Sequence, residues 1–275
     1  MIKALTWLCQ VLLFSTLLGT VTSAYAETMR LAVTTSFENS GLADVLLPQF
    51  KADTDIDVQL IVVGTGQALR LGRAGDVDAI LVHSRNAEDA FVEEGFGTHR
   101  REIMTNDFII VGPETDPAAL RDADDIGNAL RRISTASAQF VSRGDDSGTH
   151  RREQRLWETA GQNPDQFDPA WYREVGAGMG ATLNTASAMN AYALSDRGSW
   201  LNFANRGELT VLFEGGSELL NQYAYITVSP SRHPHVNHKA ALALETWLAG
   251  EKGQALIGDY RIDGERLFTP NARAR

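Results

Sequence analysis

Residues 141–150 read VSRGDDSGTH and concentrate groups suited to binding an anion. Arg143 supplies a fixed cation with a planar fork of donors. Asp145 is placed to hold that fork. Ser147 and Thr149 add hydroxyl donors, and Gly148 lets the backbone approach closely. The run has the form of a strand end, a tight Gly-Asp-Asp turn and a helix start. The first N–H groups of a helix have no internal acceptor and carry positive partial charge. An anion placed there is stabilised without a full cation. An ordinary capped helix accounts for one Asp or Ser, but not for Arg, Asp, Ser, Gly and Thr within residues 143–149.

Two further runs have the same character. Thr34-Thr35-Ser36 ends the first apolar strand, with Ser40-Gly41 opening a helix after it. Residues 63–67, VGTGQ, place Thr65 at another strand-to-helix junction. In open α/β sheets ligands bind outside the carboxyl ends of the strands. The three junctions together form a site rich in donors and poor in acceptors.

The elements that must carry these junctions alternate along the chain. Periodicity predicts strands over 29–35, 57–63 and 79–83, and helices over 41–53, 65–73 and 86–94, a βαβ pattern. Residues 106–113 (NDFIIVGP) and 221–230 (NQYAYITVSP) resemble each other and are expected to be crossover strands joining two lobes. Between them, strands are expected over 139–143, 171–174, 191–194 and 209–213. Helices are expected over 238–248 and 252–257, and Asp196-Arg197-Gly198 as a cap and helix start. Lobe one is then 27–108 with 226–275, and lobe two is 109–225.

Residues 1–26 have the features of a cleaved export signal: Lys3, an apolar run over 5–18, and Ala24-Tyr25-Ala26 before Glu27. The run is short of the ~20 apolar residues a membrane span needs. Cys9, the single cysteine, lies inside this segment and is not read as a lipid anchor, so the exported chain has no disulfide. The full chain carries a formal charge of −10, which excludes a nucleic-acid binder. Any anion site must therefore be local and built mainly from dipoles.

In order along the chain, TTSFENSGLADVLLPQF, VGTGQAL, GDVDAILVHS, NDFIIVGP, FVSRGDDSGTH and GMGATLNTAS resemble the tungstate-binding proteins of tungstate ABC importers, the TupA type. The resemblance covers nearly all of the chain after residue 26. It implies an α/β, two-lobed type II periplasmic-binding-protein fold with the ligand in the cleft between lobes. It implies tungstate or molybdate as ligand, no cofactor, a periplasmic monomer, and a membrane permease and ATPase as partners. Carried over by position, the ligand-binding residues are Thr35, Ser36, Thr65, Arg143, Ser147, Gly148 and Thr149. The family usually has Thr where this chain has Val33, which puts one hydroxyl contact in doubt. The resemblance assigns no role to residues 178–182.

Phosphate and sulfate binders of the same fold are the alternatives, since phosphate binders share the Arg-x-Asp-x-Ser-Gly-Thr run. Phosphate keeps a proton near neutral pH and benefits from a carboxylate acceptor; a proton-free dianion needs only donors, and a facing carboxylate costs several kcal/mol. Phosphate binders place an acceptor Asp after the third strand. Here that strand ends Val82-His83-Ser84, without a carboxylate. An oxyanion sensor would use the same fold. A hydrolase is disfavoured: Asp145, Ser147 and His150 are too close in one turn for a relay, and no G-x-S-x-G elbow occurs. His150 is expected either to buttress the run or to lie on the surface. His233, His235 and His238 match no strong metal signature and are expected in a solvated loop.

Overall fold

The computed structural model describes residues 27–273. The expected signal, its cleavage point and Cys9 lie outside the described residues. In chain order the elements are β1 (Glu27–Thr34), α1 (Thr35–Asn39), α2 (Leu42–Thr54), β2 (Ile56–Val63), α3 (Thr65–Ala74), β3 (Ala79–Val82), α4 (Arg85–Glu93) and β4 (Gly97–Pro113). There follow α5 (Ile126–Ala136), β5 (Phe140–Ser142), α6 (Gly148–Thr159), β6 (Tyr172–Glu174), α7 (Met179–Met189), β7 (Ala193–Asp196), α8 (Arg197–Leu201) and β8 (Leu209–Phe213). The chain closes with β9 (Leu220–Val228), α9 (His238–Ala249) and α10 (Glu251–Asp259) before short extended segments.

β1 lies between β2 and β3 and is parallel to both. β9 runs antiparallel between β3 and β4. The two-residue period of a strand sends successive side chains to opposite faces. Met29, Leu31 and Val33 of β1, with Ala79 and Leu81 of β3, enter one core, packed against Phe50, Leu244 and Leu248. Ala32, Ile80 and Val82 face the other, packed against Leu69 and Phe91. β4 pairs with β9 as far as Asp107; from Phe108 it pairs with β7 and β8 instead. Its residues Phe108 and Ile110 enter a third core with Leu130, Phe140 and Trp157, while Ile109 and Val111 face the first. β5 and β6 are parallel, and Phe140 also bridges to Tyr192 beside β7.

The two Asn-to-Pro segments are therefore neighbours. Asn106 stands opposite Asn221 in the β4–β9 ladder, and the Asn221 side-chain amide donates to Asn106 Oδ1 at 2.8 Å. β4 starts at Gly97 rather than near Asn106. Residues 97–105 are too charged to look like a strand, but their charges are paired. Arg100 Nε donates to the buried Glu88 at 2.6 Å, and His99 lies 2.6 Å from Glu245. The helix expected over 41–53 is α2, Leu42–Thr54; the short α1 precedes it, separated at Ser40-Gly41, where Gly41 takes φ 76°. Asp196 caps α8 as expected, accepting from Ser199 N at 2.9 Å. Among the described residues no helix is long and apolar enough to cross a membrane.

Candidate anion-binding site

Five of the seven candidate residues line one cavity of about 620 Å³: Thr35, Ser36, Thr65, Arg143 and Ser147. Each arrives at the end of a strand. Thr35 and Ser36 begin α1 after β1, Thr65 begins α3 after β2, and Arg143 and Ser147 bracket the turn between β5 and α6. Gly148 and Thr149, the first residues of α6, stand at the same helix start without lining the cavity; Thr149 is buried. Residues 178–181, left without a role by the sequence, line the cavity as the start of α7. The glycines before α3 and α7, Gly64 and Gly178, offer no side-chain cap. First-turn N–H groups there are left for a ligand or water.

The turn that presents Arg143 is held from several sides. Gly144 takes φ 61° and Asp146 φ 56°, both in the left-handed region. Arg143 Nε donates to Asp145 Oδ2 at 3.1 Å, with Nη2 on the same oxygen. Asp145 Oδ1 accepts from Ser147 N at 3.2 Å. Burial works against ionisation of Asp145, but the bonds from Ser147 and Arg143 outweigh it and hold the carboxyl below its ordinary range. Ser147 caps α6 by accepting from His150 N at 3.2 Å. His150 does buttress the turn: its Nδ1 accepts from Asp146 N at 3.1 Å. Arg151 is clamped by Asp146 through two 2.8 Å bonds. Both carboxylates that line the cavity are thus committed to arginines.

Ser36 sits in a hydroxyl cluster. Its Oγ is 3.0 Å from Thr34 Oγ1, 3.1 Å from His83 Nε2 and 3.2 Å from Tyr223 OH. His83 packs against Tyr223 with the rings tilted by 40° and their centres 4.8 Å apart. Burial above all, with Arg152 and Arg143 nearby, lowers its pKa to about 4 against a partial offset from Asn221, so the ring is neutral at pH 7. Thr65 Oγ1 is buried and has no hydrogen-bond partner among the described residues. Gly148 closes on these groups: a Cβ there would lie 3.0 Å from His83 Cε1 and 3.5 Å from Thr65 Oγ1.

Several expectations need adjusting. Ser84 does not line the cavity. Its backbone N–H is taken by the Glu88 carboxylate. Val33 is fully buried in the core and carries nothing toward the cavity. The loop histidines are anchored rather than free: His233 and His235 each lie 2.9 Å from a carbonyl, of Arg73 and Gly75, at the end of α3. No cluster of three metal-ligating side chains occurs among the described residues. The sequence expectation included Gln67 only within the 63–67 run and missed Asn39, Arg70, Arg151 and Ser199; all five line the cavity. Gln67 and Arg70 follow Thr65 within α3 and were within reach of that signal; Ser199 lies on a five-residue helix with no periodicity to read.

Two α/β sheets joined through β4, with helix starts from both sides meeting at a polar cleft, define a solute-binding protein of the periplasmic-binding class. The model of the PBP superfamily domain matches residues 20–252. At the level of family, the chain belongs to the TupA tungstate-binding proteins. It is 45% identical over 246 residues to the tungstate-binding protein TupA of Peptoclostridium acidaminophilum, covering 88% of this chain and 85% of that one. It is 32% identical to TupA of Campylobacter jejuni, with 87% and 90% covered. The solved tungstate-binding protein TupA of Desulfovibrio alaskensis G20 superposes with a TM-score of 0.83 at 43% identity, covering 90% of this chain and 100% of that chain. The tungstate ABC transporter structure from Geobacter sulfurreducens superposes with a TM-score of 0.78 at 44% identity, covering 85% and 99%. The family is one of solute-binding proteins, not enzymes.

Proposed function

We propose that this chain is the periplasmic component that captures tungstate, with molybdate as the alternative cargo, and delivers it to the permease and ATPase of an ABC importer. The observation that carries the reading is the buried Thr65 hydroxyl without a partner, placed where Arg143 and the starts of α1, α3, α6 and α7 converge. Such a set offers donors and leaves no free lining carboxylate, which suits a proton-free tetrahedral dianion. Thr35, Ser36, Thr65, Arg143 and Ser147 are the ligand contacts in this proposal, with backbone N–H groups at Gly148 and Thr149. A charge-assisted hydrogen bond contributes about 1.5–3 kcal/mol net, so six or seven of them exceed the costs of association and ordering.

In the same reading, lobe one is 27–108 with 226–275, and lobe two is 109–225. The lobes close over the ion, residues 1–26 are removed on export, and the protein acts as a monomer. The test is calorimetry of the chain from Glu27 with tungstate, molybdate, sulfate and phosphate. Tungstate or molybdate is expected to bind tightly and phosphate weakly. Phosphate binding as tight as tungstate would overturn the assignment.

A further inference from the structure

The charged side chains lining the cleft nearly cancel. They are Arg70, Arg143, Asp145, Asp146 and Arg151. Arg143 is bound to Asp145, and Arg151 to Asp146. Arg70 differs. Its Nε and Nη2 both donate to Gln67 Oε1, at 2.9 and 2.6 Å, so its partner is an amide that leaves the charge in place. Among the described residues it is the one cleft cation without a carboxylate. It is exposed, and its Nη1 lies 3.7 Å from where a Cβ on Gly66 would sit. Arg151 Nη2 lies 3.9 Å from that same point. Two guanidinium groups, from α3 and from α6, thus meet over the rim at Gly66, one neutralised and one not.

We infer that Arg70 is the entry cation of this site, drawing the oxyanion to the mouth of the cleft and setting the association rate. The inference rests on the proposed reading that the ligand is a small dianion. A molecule with a formal charge of −10 repels such an ion at long range. A local unmatched charge at a cleft of low-dielectric walls focuses the field and offsets that repulsion. An exposed charge in water contributes little to holding a bound ion. The same residue that speeds capture therefore need not slow release, and its effect is screened once salt shortens the Debye length.

The experiment is stopped-flow tungstate binding followed by tryptophan fluorescence, with wild type, Arg70→Gln and Arg70→Lys. Salt is varied between ~0.01 M and ~1 M, where the Debye length falls from about 30 to 3 Å. Arg70→Gln is expected to associate about three- to tenfold more slowly at low salt. Its dissociation rate should stay within about twofold of wild type, the gap should close at high salt, and Arg70→Lys should recover most of the rate. Equal association rates at low salt would overturn the inference, as would a loss confined to dissociation. A wild-type protein that binds no tungstate overturns this inference and the proposed ligand together. Normal wild-type binding with an unchanged variant overturns the entry role alone.

Discussion

Thr65 shows what the proposed site costs the free protein. Its buried hydroxyl lacks a partner among the described residues, and such a group costs about 1–3 kcal/mol until something accepts its proton. Thr65→Val keeps the shape and removes the hydroxyl. Two opposite results are expected: a melting temperature equal to or above wild type without ligand, and tungstate affinity lower by about tenfold, or about 1.4 kcal/mol. Melting curves and calorimetry on the same preparation check both; a variant that loses stability and keeps affinity would make Thr65 a packing residue. Arg143 is the complementary case, since Asp145 fixes its Nε and Nη2 and orients the guanidinium before any ligand arrives. That pre-organisation was legible in the Arg-Gly-Asp-Asp-Ser spacing. The roles of His83 and Tyr223 behind Ser36 were not, because they depend on β3 and β9 lying side by side although far apart in sequence.

Among elements, the helix starts supply most of the donors in the proposed site. α6 is the one that also crosses the cleft, because Gly148 lies against His83 and Thr65. A methyl group at Gly148 would sit 3.0 Å from His83 Cε1, closer than ordinary contact. Gly148→Ala costs the start of α6 little, yet it should hold the lobes apart and weaken tungstate binding by about tenfold or more, with the melting temperature of the free protein nearly unchanged. A calorimetric titration checks this. The strands and helices of the first half were legible because apolar residues recur there with period 2 or about 3.6 between Gly and Asp punctuation. β4 was only half legible. Its first residues carry His99, Arg100 and Arg101, and charge normally argues against a strand. Their acceptors are Glu88 on α4, the helix just before the strand, and Glu245 on the distant α9, and neither pairing can be read from the strand's own residues.

For the whole molecule, acidity and folding meet at His83. The ring titrates near 4 in the folded chain against 6.5 when unfolded, so between those values the unfolded chain binds the extra proton. Stability contributed by keeping this ring neutral is complete above about pH 6.5, falls as pH drops, and levels off below about 4. The slope for one group is at most about 1.4 kcal/mol per pH unit. His83→Gln should flatten that part of the profile, read from urea midpoints at a neutral and a mildly acidic pH; an unchanged slope would place the sensitivity elsewhere. β4 carries a different consequence. One strand is a full member of both sheets, and the first core takes residues from each side of it. Neither half can lose its ladder without exposing the other's. Scanning calorimetry of the free protein should therefore record a single cooperative melting peak with equal calorimetric and van 't Hoff enthalpies, where two halves tied by a mere tether would melt in succession.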